Sequence, residues 1–109
     1  MTEKEKMLNG YIYDPFCEDI QTLRTTAHIL CRKYNKTTEV DIKKRERILN
    51  KLLPNRGKSV CLQGPIYFDF GIYTTFGDYS YANFNLTILD ICPVTIGKNV
   101  FIGPNVSLL

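Results

Sequence analysis

Residues 70–109 have the sequence FGIYTTFGDYSYANFNLTILDICPVTIGKNVFIGPNVSLL. Within this stretch a bulky apolar residue followed by glycine recurs in steps of six, at Phe70 and Phe76 and again at Ile96 and Ile102. A period of six with an apolar lead and a glycine behind it is typical of a parallel β-helix, in which each step makes one short strand and one corner. Glycine and asparagine suit the corners because they tolerate left-handed backbone angles.

The repeat is interrupted once, where the frame slips by two residues at Pro93-Val94 before it resumes at Ile96. With three repeats per turn, the stretch predicts about two turns of helix. The alternative is a β-meander, which would show alternation and turns of irregular length rather than a fixed step. Residues 58–109 are therefore interpreted as the incomplete start of a β-helix, with the alternating apolar residues from Val60 to Phe70 predicting a strand that leads into the coils.

The first half of the chain has helical periodicity instead. A short helix is predicted over residues 3–9, because Asn9-Gly10 ends the pattern. Apolar residues spaced by three and four predict a second helix over about residues 18–34 and a third over about 40–53. Thr38 and Asp41 resemble a capping box for the third helix, and Ile42 is assigned to its buried face. Residues 1–57 are thus predicted to form a helical module ahead of the β-helix.

Composition excludes several classes of function. The chain has 109 residues, 44% hydrophobic and 23% charged, with a net charge of +3. No basic face interleaved with aromatic residues accompanies this charge, which argues against nucleic-acid binding. No apolar run is long enough to span a membrane, and the charged start argues against a signal peptide. The four cysteines are widely spaced, which favours reduced thiols in the cytoplasm over a zinc site or other metal.

Two features outside the repeats each leave two interpretations open. A cluster of basic residues in and after the third predicted helix could attract a phosphorylated ligand or could form a solvated helix face. This cluster consists of Lys43, Lys44, Arg45, Arg47, Lys51, Arg56 and Lys58. The only histidine, His28, falls in the middle of the second predicted helix, and we interpret it as a surface or packing residue rather than a catalytic one.

Three runs of sequence carry a resemblance to a known family. They are Met1–Met7 together with Asp14-Pro15, the run YANFNLTI at residues 81–88, and the run LDICPVTIG at residues 89–97. Together they resemble the maltose and galactoside O-acetyltransferases of the hexapeptide-repeat acyltransferase superfamily. The third run is more similar to the maltose branch than to the galactoside branch.

The resemblance implies a mainly β fold, a left-handed parallel β-helix preceded by the helical module. It implies a homotrimer with active sites in the clefts between subunits and acetyl-CoA bound along the coils. An acetyl group would pass directly from acetyl-CoA to a hydroxyl of a sugar acceptor of the maltose, glucose or galactoside type. A histidine would act as the general base on that hydroxyl, and a backbone N–H would stabilise the tetrahedral oxyanion.

The resemblance also assigns substrate-binding residues. Asp14 matches a loop aspartate that reaches the acceptor sugar, and Asn83 matches an asparagine beside the acceptor and the base. Asp69 stands where the galactoside branch has a serine lining the acceptor pocket. Ile91 stands where that branch has an acceptor-binding aspartate, and the adjacent Asp90 would point to the opposite face of an extended segment.

The resemblance places the catalytic histidine just beyond Leu109, so this chain alone is expected to be inactive. An alternative is a non-catalytic, truncated β-helix protein that acts only in trimerisation or subunit association. A third hypothesis, a metal-dependent β-helix hydratase, needs several histidine ligands that this chain does not have. The aromatic residues near the repeats are expected to be core, corner or subunit-contact residues rather than sugar platforms. They are Tyr67, Phe68, Tyr73, Tyr79, Tyr81 and Phe84.

Overall fold

The computed structural model describes residues 1–109, which form three helices followed by eight short strands. The helices are α1 (Glu3–Leu8), α2 (Glu18–Asn35) and α3 (Ile42–Leu52). These bounds lie within two residues of those predicted from the apolar spacing. No helix is both long enough and apolar enough to cross a membrane.

The helix caps differ from the sequence prediction. A full capping box is present at the start of α1, where Thr2 and Glu5 bond to each other's backbone N–H groups. The Thr2 backbone N–H holds the pKa of Glu5 below its ordinary value. At α3 the Thr38 N–H donates to Asp41 Oδ2 at 2.9 Å, but the helix begins only at Ile42. Ile42 is 73% exposed, so its assignment to the buried face was wrong; it lies in the first turn, ahead of the face that packs on the strands.

The strands form three parallel sheets. These strands are β1 (Cys61–Leu62), β2 (Ile66–Phe68), β3 (Thr74–Phe76), β4 (Tyr81–Ala82), β5 (Leu86–Ile88), β6 (Val94–Ile96), β7 (Phe101–Ile102) and β8 (Ser107–Leu108). The sheets have the orders β1-β4-β7, β2-β5-β8 and β3-β6. Successive strands along the chain belong to the three sheets in turn, and every pairing is parallel. The chain therefore winds as a three-sided β-helix.

One turn of the helix is longer than the predicted three steps of six. The residues Cys61 and Tyr81 are paired, as are Ile66 and Leu86, so one turn takes 20 residues. The corners between β2 and β3 and between β5 and β6 each hold two more residues than a step of six allows. Only the second of these was visible from sequence, as the slip near Pro93.

The first long corner explains the error. Phe70, taken from sequence as the lead of a repeat, is buried outside the coil in a cluster with Met7 of α1 and Ile20 of α2. The inward residues on either side of this corner are Phe68 and Phe76. Phe70-Gly71 therefore matched the pattern of the repeat although it lies at a corner. The apolar run from Val60 to Phe70 is likewise not one strand but β1 and β2 with a corner between them.

The remaining corners use left-handed backbone angles at positions one turn apart. Ser59, Tyr79 and Asn99 have positive φ at one corner, and Asn85 and Asn105 have positive φ at the next. The two asparagines are also joined through their side-chain amides at 3.1 Å. Asparagine tolerates this conformation better than other non-glycine residues, which supports the prediction that it serves as a corner residue.

The core lies inside the coil and beneath the two longer helices. The inward side chains of the strands form one cluster with Ala27, Cys31 and Tyr34 of α2 and with the buried face of α3. Arg45 stabilises the packing of α3 on the coil, since its guanidinium donates to the Leu62 and Gln63 carbonyls at 3.2 and 3.1 Å. The helices are thus docked on the first turn, and α2 lies along β2.

Candidate functional site

A cavity of about 370 Å³ lies between α2 and the outer side of the sheet formed by β2 and β5. It is lined by His28, Cys31, Arg32, Asn35, Tyr67, Phe68, Asp69 and Leu89. Its volume is within the range of about 300–1,000 Å³ that small-molecule sites usually have. One wall is helical and the other is made of side chains that project from the strands.

Asp69 is the predicted site residue that lies in this cavity. It directly follows β2, and its backbone N–H donates to the Ile88 carbonyl of the next turn at 3.2 Å. Its carboxylate Oδ1 lies 3.5 Å from Nε2 of His28. Neither carboxylate oxygen accepts a hydrogen bond from another group of the protein. Because the backbone is fixed and the side chain is only 22% exposed, the carboxylate is well placed to accept a hydrogen bond from a ligand.

His28 was interpreted from sequence as a surface or packing residue, and the structure gives it a charged neighbour as well. The buried residues of α2 on either side, Ala27 and Cys31, fix the orientation of that face of the helix. The pairing of His28 with Asp69 could not be read from the sequence. It depends on how α2 is docked along β2, and local spacing does not encode that docking.

Cys31 forms part of the cavity wall but is not a nucleophile. Burial raises the pKa of its thiol to about 11, and the nearby charge of Asp90 acts in the same direction. Since the thiolate is the reactive form of cysteine, this residue stays neutral and inert near neutral pH. Cys31 is therefore a packing residue in this cavity.

Asn83 lies at the corner after β4 and is half-buried. Its side-chain oxygen accepts the Phe84 N–H at 2.8 Å, while its own backbone N–H donates to the Ile102 carbonyl at 2.9 Å. Its side-chain NH₂ donates to no group of the protein. The structure thus fixes Asn83 by its backbone and leaves its amide donor available.

Asp14 lies in the exposed loop between α1 and α2. Its Oδ1 accepts the Phe16 N–H at 2.9 Å, which closes a turn just before α2. Its own N–H lies 3.3 Å from Oε1 of Glu3. Asp14 is therefore a turn residue here. No hydrogen bond or ion pair connects Asp14, Asp69 and Asn83 within one chain.

The two neighbouring residues at the second long corner behave differently. Ile91 is 39% exposed and offers no polar group, whereas Asp90 is fully buried. Asp90 Oδ1 accepts the Phe70 N–H at 2.8 Å and its Oδ2 accepts the Thr74 hydroxyl at 3.0 Å. Asp90 stabilises the corner, and its carboxylate is not available to a ligand.

The basic cluster is divided by the fold. Arg45 is occupied by backbone carbonyls, and Arg56 is paired with Glu46 at 2.7 Å. Lys44, Arg47 and Lys51 remain exposed and, together with Lys33 of α2, line a shallow groove. No group of three His, Cys, Asp or Glu side chains is arranged to hold a metal ion.

Comparison with a family of known proteins supports the sequence resemblance. Residues 6–57 match the maltose acetyltransferase hexapeptide capping motif. The galactoside O-acetyltransferase of Escherichia coli strain K12 is 34% identical over 108 residues, which is 99% of this chain and 53% of that protein. The chain therefore spans about half the length of this relative.

Two solved structures have the same fold over nearly the whole chain. The maltose O-acetyltransferase from Clostridium difficile 630 is 38% identical with a TM-score of 0.94, covering 98% of this chain and 57% of that one. A hexapeptide-repeat acetyltransferase from Vibrio cholerae, complexed with acetyl coenzyme A, is 34% identical with a TM-score of 0.86. It covers 98% of this chain and 57% of that one.

Proposed function

Since this chain belongs to the maltose and galactoside O-acetyltransferase family, we propose that it is part of an acetyl-CoA-dependent sugar O-acetyltransferase. The likeness to a maltose O-acetyltransferase over 98% of the chain carries this proposal. Acetyl-CoA is proposed as the donor because a neighbour of the same fold is complexed with it. The turns are proposed to wind left-handed, as in hexapeptide-repeat proteins, and the protein is proposed to be cytoplasmic.

In the proposed reaction an acceptor hydroxyl attacks the thioester carbonyl carbon of acetyl-CoA. A general base takes the hydroxyl proton, the C–S bond of the tetrahedral intermediate breaks, and the CoA thiolate leaves and is protonated. This chain contributes no catalytic histidine to that step, because its one histidine lies on α2. The base is proposed to come from further turns of the full-length protein.

The role proposed for this chain is to bind the acceptor sugar. Asp69 has a carboxylate free to accept hydrogen bonds from sugar hydroxyls, and Asn83 has a free amide donor. Asp14 is exposed in a loop, from which it would reach an acceptor bound to a neighbouring subunit. Because no hydrogen bond or ion pair connects the three within one chain, we propose that the site is completed across a subunit boundary.

A homotrimer is proposed on the same grounds, and the outer side of the sheet β1-β4-β7 is a candidate contact surface. Its outward residues at successive turns are Cys61, Tyr81 and Phe101, and the last is 80% exposed. The rings of Tyr81 and Phe101 lie 6.1 Å apart. A Phe101→Lys variant is expected to lower the mass measured by light scattering if this apolar stripe is buried between subunits.

The activity is tested with the full-length protein by following thiol release from acetyl-CoA with maltose, glucose and a galactoside as acceptors. Thiol release that depends on the acceptor, with formation of an acetylated sugar seen by mass spectrometry, is the expected result. If none of these acceptors promotes thiol release, the sugar acetyltransferase proposal is wrong. The alternative of a non-catalytic subunit then becomes the better account.

A further inference from the structure

We propose that His28 is a positioning residue for the acceptor sugar, acting through the carboxylate of Asp69. This inference rests on the proposed function and extends it to a residue on α2. The imidazole would hold Asp69 in the orientation that accepts a hydrogen bond from a sugar hydroxyl. His28 would therefore determine how tightly the acceptor binds, without contact with the reacting atoms.

The geometry of the pair supports this role. His28 Nε2 and Asp69 Oδ1 lie 3.5 Å apart, and the side chains are 42% and 22% exposed. One carboxylate oxygen of Asp69 thus faces the imidazole, while Oδ2 has no partner in the protein. A contact between two side chains that are this open to water adds little to folding stability, so stability does not account for it. An imidazole beside one oxygen does, however, restrict how the carboxylate can turn, and therefore restricts the direction of the other oxygen.

The surrounding charges make Asp69 the one acidic partner of His28. Asp69 is the single carboxylate that lines the cavity. Arg32 also lines the cavity and lies one helical turn after His28 on α2. Arg24, one turn earlier on α2, is occupied because its guanidinium donates to the Pro15 carbonyl at 2.8 Å. No second acid competes for the imidazole, so removal of His28 leaves Asp69 free to rotate toward Arg32.

The cavity around the pair has the chemistry of a carbohydrate site. Tyr67 is predicted from sequence to be a core, corner or subunit-contact residue, but it is 50% exposed on the strand wall, and we assign its aromatic ring to the apolar face of a sugar. Leu89 stands one turn above Asp69 and closes the wall on that side. A carboxylate, a guanidinium and an open aromatic ring around about 370 Å³ suit a single sugar ring with its hydroxyls.

The inference is tested by steady-state kinetics of the full-length protein. His28→Ala is expected to raise the acceptor KM by about fivefold, the effect of losing roughly 1 kcal/mol of binding. The kcat and the KM for acetyl-CoA should stay within about twofold of wild type, since neither the base nor the donor is touched. Thr26→Ala, an exposed change on the same helix, serves as the unaffected control.

Two conservative variants separate positioning from helix structure. In His28→Gln the amide nitrogen can occupy the place of Nε2, so the acceptor KM should return close to wild type. In His28→Asn the shorter amide cannot reach Asp69, so the KM should stay raised. His28→Ala added to Asp69→Asn should have no further effect, because the carboxylate that it positions is gone.

The inference fails if His28→Ala leaves the acceptor KM unchanged while the wild type is active. It also fails if kcat and both KM values change together, which would indicate a structural defect. An inactive wild type would instead contradict the proposed function. In that case sugar binding is tested directly by NMR of the full-length protein, in which the imidazole resonances of His28 are assigned by their loss in His28→Gln. These resonances should shift on addition of glucose or maltose, and no shift would overturn the inference.

Discussion

The buried carboxylate of Asp90 accepts the hydroxyl of Thr74 at 3.0 Å and thereby joins two successive turns of the β-helix at its widest corner. The same carboxylate accepts the Phe70 N–H at 2.8 Å. This corner is the place where the period of six is broken. One acidic side chain therefore supplies the hydrogen bonds that the strand ladder cannot provide there.

We expect Asp90→Ala to lower the free energy of unfolding by about 3 kcal/mol, because it leaves two buried donors without an acceptor. Thr74→Val should cost only about 1 kcal/mol, since Asp90 then keeps the Phe70 N–H. Urea unfolding followed by circular dichroism measures both. Equal losses for the two variants would show that the carboxylate does not stabilise the corner in this way.

Arg45 provides a second stability test. Its guanidinium donates to Thr37 Oγ1 at 2.8 Å and to the carbonyls of Leu62 and Gln63, and it lies 4.6 Å above the ring of Tyr34. Arg45→Lys keeps the charge but loses the forked geometry, so we expect a loss of about 2 kcal/mol. Arg47→Lys, on the exposed side of the same helix, should change stability by less than about 0.5 kcal/mol.

Tyr79 carries backbone strain that a substitution can relieve. Its φ is 62°, and the equivalent residue one turn later is Asn99 with φ 55°. Tyr79→Asn should stabilise the protein by about 0.5–1 kcal/mol, because asparagine adopts this conformation more readily. The gain is measured as a higher urea midpoint. Tyr11→Asn, at a similarly exposed position without positive φ, should not raise it.

Alkaline pH should destabilise the fold through two buried acids. Burial raises the pKa of Cys31 from 9.0 to about 11 and that of Tyr34 from 10.0 to about 12. Both groups ionise more easily when unfolded, so their contribution is complete below about pH 9 and is lost as the pH rises through 11 and 12. Urea midpoints measured across this range should fall.

The share of Cys31 in this loss can be isolated. Cys31→Ala should flatten the first part of the decline, whereas Tyr11→Phe, which removes an exposed ionisable group, should leave its slope unchanged. A decline that is identical in wild type and Cys31→Ala would show that this thiol is not responsible.

The periodic parts of the fold were predictable from sequence because each is encoded locally. The apolar spacing located α2 within one residue of Glu18–Asn35, and the repeat from Phe76 to Leu108 located β3 to β8. The long corner at Phe70 was missed because its aromatic side chain packs on helices that the repeat pattern does not describe. Its packing partners, Met7 and Ile20, are distant in sequence, and only the docked structure brings them together.

The candidate site was predictable to a smaller extent. Asp69 was assigned through family resemblance, and the structure places it in a cavity. Its neighbour His28 could not be found from sequence, since nothing local to α2 indicates which strand it covers. Asp14 was assigned in the same way, but within one chain its carboxylate closes a turn in its own loop. Aspartate side chains commonly bond to the backbone two residues further on in this manner.

The repeat of 20 residues per turn also sets how such a scaffold can change in length. Removing or duplicating one complete circuit keeps every inward side chain above its counterpart, whereas a gain or loss of a single residue inside a strand exchanges inside for outside. Changes in chain length are thus confined to whole turns, or to the two long corners that follow β2 and β5.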